Sequence, residues 1–172
     1  AELTWESAYA IDPQLQSSAW QLLNEVITLG LSCGGTRIVV ANVPDTFSDF
    51  VGDWHQDVAH QAHSAGSAAQ ENLWRAHQRF FETVFVDLTN RLLSVETPTG
   101  SLLDECLVTW SQESGNFTHE SRSVPLITAG GASGRFGTGQ YIDYRNWSLS
   151  DLGCQWCDDE VGDLVEPPGL TW

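Results

Sequence analysis

The sequence contains no methionine and no lysine. Its seven basic residues are all arginine, set against 23 acids, for a net charge of −16 over 172 residues. A chain that opens on Ala1 reads as a mature or proteolytically cut product. Binding nucleic-acid phosphates needs a basic face, so nucleic acid is not an expected partner. The acidic balance suits solubility and divalent cations instead. No apolar run approaches the roughly 18 residues that span a bilayer, so no transmembrane segment is expected. No charged-then-apolar leader opens the chain, and any export signal would already have been removed. Cysteine is sparse: Cys33, Cys106, Cys154 and Cys157 are compatible with two disulfides, in any of three pairings.

What is present suffices for one domain. The chain is 41% hydrophobic and carries eight tryptophans, which argues against wholesale disorder. Residues 1–12 read as an irregular lead-in. Asp12 followed by Pro13 is an N-cap with the favoured first-turn proline. Leu15, Ala19, Leu22, Leu23 and Val26 then recur at helical spacing, predicting an amphipathic helix over about 13–29. The β-branched run "TRIVVAN", 36–42, bounded by glycine and Pro44, predicts a buried strand. At 67–70 "SAAQ" has the capping-box pattern. Beyond it Leu73, Phe80, Phe81, Val84, Phe85, Leu88 and Leu92 predict a long helix ending before Pro98. "CLVTWSQ", 106–112, "VPLITAGG", 124–131, and "QYIDY" read as further strands. The expected architecture is an α/β domain over 13–144, a mostly parallel sheet flanked by helices. Residues 145–172 read as an irregular acidic tail with a Cys-x-x-Cys, laid across the domain or on a partner.

Histidine is scarce too, five residues in all, yet "DWHQDVAHQAH", 53–63, holds three of them. Ligands of parallel sheets lie beyond the carboxyl ends of the strands. The loop after 36–42 would bring His55, His60 and His63 to that edge, and the loop after 106–112 would bring Glu113, His119 and Glu120. Imidazole and carboxylate together form an ordinary ligand set for a divalent metal, whether zinc, iron, manganese or calcium. Asp53, Asp57 and Glu120 would stand behind the ligands and fix their orientation. His77, at helical spacing from Leu73 and Phe81, reads as a packing residue. In the tail, the acids at 158–160 oppose a lowered thiol pKa, so structural disulfides are expected there rather than redox chemistry.

The stretch "SLLDECLVTWSQESGNFTHESRSVPLITAGGASGRFGTGQYIDY", 101–144, resembles the C-terminal region of a family of secreted, twin-arginine-exported bacterial proteins of unknown function. That family is distantly related to the alkaline phosphatase and sulfatase superfamily. The resemblance rests on Leu102-Leu103-Asp104, Glu113-Ser114-Gly115, His119-Glu120 and Pro125 through Gly131, and extends more weakly over about 15–145. It implies an alkaline-phosphatase-like C-terminal portion, secreted, periplasmic or at the cell surface. Glu113 resembles the Asp of the superfamily's Asp-His metal turn, His119 its late histidine, and His55, His60 or His63 its middle set. Ser114 departs from the Asp-His pair. The superfamily's nucleophile comes from an amino-terminal half that these residues do not match, so no catalytic nucleophile is assigned. Two functions follow as expectations. One is a metal-binding domain that would hydrolyse phosphate or sulfate esters only with a second polypeptide. The other is a non-catalytic assembly subunit of an extracellular or cell-surface complex. Either makes another polypeptide the expected partner, whether the missing N-terminal half or neighbouring subunits.

Overall fold

A computed structural model of the chain describes residues 12–112 and 124–143. The chain divides into two compact units, Ala1–Thr138 and Gly139–Trp172; the description below concerns the first.

Helix α1 spans Pro13–Ser32. As the sequence predicts, the Asp12 carboxylate accepts from the backbone N–H groups of Gln14 and Leu15, at 2.8 and 3.3 Å, satisfying donors that the first turn leaves orphaned. A long helical rod follows, with α2 over Ala68–Phe80, a π-helical turn over Phe81–Val86, and α3 over Asp87–Ser94. Its start departs slightly from a reciprocal capping box. Ser67 Oγ accepts from Gln70 N–H at 3.1 Å, but Gln70 Oε1 takes the N–H of Gly66, one residue earlier, at 2.8 Å. The reciprocal version closes on the short helix α4, Leu102–Glu105. There the backbone N–H and hydroxyl of Ser101 donate to Asp104, at 2.8 and 2.7 Å, and hold its carboxyl below the usual range.

The two long helices are locked by one residue. Asn24 is fully buried on α1, and its Nδ2 donates to Thr83 O at 2.9 Å, Val84 O at 3.2 Å and Asp87 Oδ2 at 2.9 Å. A π-helical turn frees carbonyls from the ordinary ladder, and an inserted side chain can take them over. The Asn24 amide does this inside the turn 81–86. Arg91 Nε pairs with the same Asp87 oxygen at 2.7 Å.

The strands overturn the expected fold class. β1 (Glu96–Thr97) and β2 (Gly100–Ser101) form a small antiparallel pair, and β3 (Val108–Ser111) pairs antiparallel with β4 (Leu126–Ala129) in the register Val108 to Ala129 through Ser111 to Leu126. Among the described residues there is no parallel sheet, so the alkaline-phosphatase-like layering is not the fold of this chain. The reason is topological. Parallel neighbours need a crossover, usually helical, between them, and among the described residues no helix lies between β3 and β4. The segment 36–42, read as their parallel partner, joins no ladder. Gly130 closes the β3–β4 unit. Its φ is +91°, and a Cβ there would collide with the carbonyl oxygens of Leu103 and Cys106. The next residues bond back to α4, Ala132 N–H to Cys106 O at 2.9 Å and Ser133 N–H to Asp104 O at 2.8 Å.

The buried apolar residues gather where α1, the π-helical turn and the loop before 50 meet: Trp20, Ile27, Phe47, Val58, Phe85 and Leu92. Phe47 sits at φ +53°, a conformation most side chains avoid, and is wholly buried. It is held there by Arg79 Nη1 bonding its carbonyl at 3.2 Å and by a tilted ring contact with Phe80 at 5.6 Å between centroids. Among the described residues no helix is long and apolar enough to cross a membrane.

The expected disulfides are corrected as well: Cys33 and Cys106 are both free thiols, while Cys154 and Cys157 lie outside the described residues. One test follows from the Asn24 lock. Asn24→Ala removes the amide donor from the carbonyls of Thr83 and Val84, while Asp87 keeps its bond from Arg91, each lost donor costing about 1–3 kcal/mol. Urea unfolding should show a loss of about 2 kcal/mol or more; a loss below about 1 kcal/mol would mean the amide is not the lock.

Candidate functional site

The histidine segment is not a loop. Residues Trp54–Ala59 form a π-helical turn, capped by Asp53, whose Oδ1 accepts from Gln56 N–H at 3.1 Å. Asp57 returns the bond, Oδ2 accepting from Asp53 N–H at 3.3 Å. Both aspartates expected to orient histidines are thus engaged with backbone.

That turn explains the histidine spacing. In an α-helix residues five apart point in different directions, but a π-helical turn closes i to i+5. His60 N–H bonds His55 O at 3.1 Å, and the two rings meet edge to face with centroids 4.7 Å apart. Their Nε2 atoms lie 3.1 Å apart, so one carries the hydrogen and the other accepts it. His63 takes a different role: its Nδ1–H donates to His60 O at 2.9 Å. The structure therefore brings His55 and His60 together and turns one nitrogen of His63 to the backbone. Glu113, His119 and Glu120 lie outside the described residues. Among the described residues no group of three or more histidine, cysteine, aspartate or glutamate side chains could hold a metal. The expected metal-binding character is corrected to a histidine pair, because Asp53 and Asp57 are committed to capping.

Next to this turn lies an open groove of about 1440 Å³, larger than the roughly 300–1,000 Å³ of small-molecule pockets. His60 and His63 line one part of it, the helical residues Leu73, Phe80 and Leu88 another. Two stretches of strand-type sequence also line it, 37–46 and 105–112, the latter containing β3. β3 is seated on the helical rod by Trp110, whose ring lies 6.0 Å from Phe80 and 5.5 Å from Phe81. The buried Trp110 Nε1–H finds no acceptor among the described residues. Across the groove, Asp45 Oδ2 accepts from Trp20 Nε1 at 2.6 Å, fixing the end of 37–46 to α1.

His77 lies on the groove wall rather than packed in a core. Its ring reaches solvent and meets the Gln112 amide at 3.3 Å. The surrounding protein mass still desolvates it and lowers its pKa from 6.5. Burial likewise raises the Cys106 thiol pKa, which leaves this groove-lining cysteine a poor nucleophile.

Comparison with protein-family models, curated proteins and solved structures finds no match for this chain.

Two outcomes follow. Asp53→Ala removes the cap of the π-helical turn, costs about 1 kcal/mol and separates the two rings, whereas His63→Ala changes stability by less than about 0.5 kcal/mol. Chemical denaturation with NMR of the histidine ring protons checks both. For His77 the folded state binds its proton more weakly than the unfolded chain does. The stability linked to it is present above pH 6.5 and declines as pH falls below that value. His77→Gln should flatten the pH dependence of unfolding between about pH 7 and 5; an unchanged slope would contradict the desolvated placement.

Proposed function

We propose that this chain is a non-catalytic assembly component, whose apolar faces are covered by another polypeptide in the finished complex. The reading is supported by one observation above others: the residues patterned for burial are not the ones buried. On α1 the core-facing stripe is Gln16, Trp20, Asn24 and Ile27. At about 100° per residue, the apolar face built from Leu15, Ala19, Leu22, Leu23 and Val26 lies roughly 120° away. Leu22 is 64% exposed, Val26 63% and Leu29 60%. The strand-type segment behaves alike, with Ile38 80% and Val40 91% exposed. Single exposed apolar residues are ordinary, but contiguous faces of them mark interaction surfaces. The acidic surface around these faces keeps unassembled copies apart.

The test is association of the chain as isolated from its native source, measured by light scattering after size exclusion. The reading predicts a stoichiometric protein partner and a mass above the 18.9 kDa of the chain. Leu22→Gln with Val26→Gln should leave the unfolding free energy within about 1 kcal/mol and weaken that association about tenfold or more. A monomer at the chain's own mass, or a double variant that unfolds, contradicts it.

A further inference from the structure

We infer that the open groove receives an extended strand of a separate polypeptide, which pairs main chain to main chain with the edges lining it. This rests on the assembly reading above and names the chemistry of the partner.

The argument starts from backbone groups. Residues 38–51 carry no turn or bend, and every residue of 37–46 except Val40, which is 91% exposed, lines the groove. Yet among the described residues no backbone hydrogen bond joins 39–44 to any other element. β3, also lining the groove, is paired among the described residues on one edge only, by β4. Unpaired strand edges are templates for another strand. An incoming segment that lies along either edge satisfies alternate N–H and C=O groups, the mode by which peptides extend an exposed sheet.

The floor and the charge say what kind of strand fits. Leu73, Phe80, Val84 and Leu88 of the helical rod line the groove, so the face of the strand turned to them is apolar. Trp110 adds a buried donor in search of an acceptor, which a main-chain carbonyl of the occupant supplies. Asp45 and Glu105 line the same groove against the single cation Arg37 among its described lining residues, Asp49, paired with Arg79, stands three-quarters exposed nearby in sequence, and the whole chain carries a net charge of −16. Charge complementarity therefore calls for lysine or arginine flanking the apolar core of the strand. The volume exceeds that of a metabolite site and suits a peptide.

The experiment selects binders to the full chain from a displayed library of random peptides of about eight residues, a common strand length. The expected binders alternate apolar residues between basic ends. They should lose about tenfold or more in affinity when alternate peptide nitrogens are methylated, which removes N–H donors and keeps every side chain. On the protein, Val40→Pro and Ala41→Pro delete donors that bond nothing among the described residues. At least one of the two should cost binding about tenfold while leaving the unfolding midpoint in place. Amides 39–43 should exchange freely in the isolated chain and become protected when peptide binds. The inference is overturned if no peptide is selected, or if affinity stays within about twofold under both N-methylation and the proline changes. It is also overturned if those amides are already protected without peptide, or if the groove proves to be occupied by a second copy of the chain. The Leu22→Gln, Val26→Gln pair separates the two claims. Association lost in that pair but untouched by either proline retains the assembly reading and rejects the strand; association indifferent to all four changes rejects both.

Discussion

The amide of Asn24 determines how this chain is put together. The Asn24 amide shares its two N–H groups among Thr83 O, Val84 O and Asp87 Oδ2, which turns that side chain of α1 toward the π-helical turn at 81–86, although its Oδ1 finds no donor among the described residues. Leaving those carbonyls unbonded in the interior would cost several kcal/mol. Rotating α1 to bury Leu22 and Val26 instead would incur that cost, and the polar anchor wins over a modest apolar stripe. The same choice carries Trp20 inward, where its indole N–H holds Asp45. Phe47 is fixed from the other side, by Arg79 and by Phe80.

With α1 so oriented, two surfaces patterned for burial face outward. One is the Leu22–Val26–Leu29 face. The other is the strand-type segment beginning at Arg37, which ends in a pinned loop and, among the described residues, makes no backbone-to-backbone bond over 39–44. These features have a common logic: the helical layer and a two-stranded fragment are in place, and apolar side chains of α1 and 38–40 are left exposed. The histidines belong to this frame as well. A π-helical turn converts a five-residue spacing into a ring-to-ring contact, and its two aspartates are engaged in holding that turn.

Local signals in the sequence translate well. Asp12 and Pro13 start α1 at the predicted residue, Ser67 starts the long rod, and β3 and β4 fall inside the stretches 106–112 and 124–131. Each depends on a residue acting on its near neighbours. What the sequence obscures is nonlocal or off-period. The π-helical turns break the 3.6-residue count, so neither the His55–His60 contact nor the binding of Asn24 at 83–87 could be read from spacing. The apolar stripe of α1 was assigned to the core on periodicity, and a single asparagine overrode it. "TRIVVAN" has strand composition, but composition does not supply a pairing partner, and the parallel sheet inferred from it does not form. Glu113, His119 and Glu120 lie outside the described residues, and of the expected metal ligands the structure brings together His55 and His60.

Hydroxyl-radical footprinting of the isolated chain, read residue by residue on α1, tests the central claim most directly. The account predicts rapid oxidation of Leu22, Val26 and Leu29 with Trp20 and Ile27 protected. Protection of Leu22 and Val26 together with exposure of Trp20 would mean the helix is rotated the other way, and the orientation set by Asn24 would be wrong.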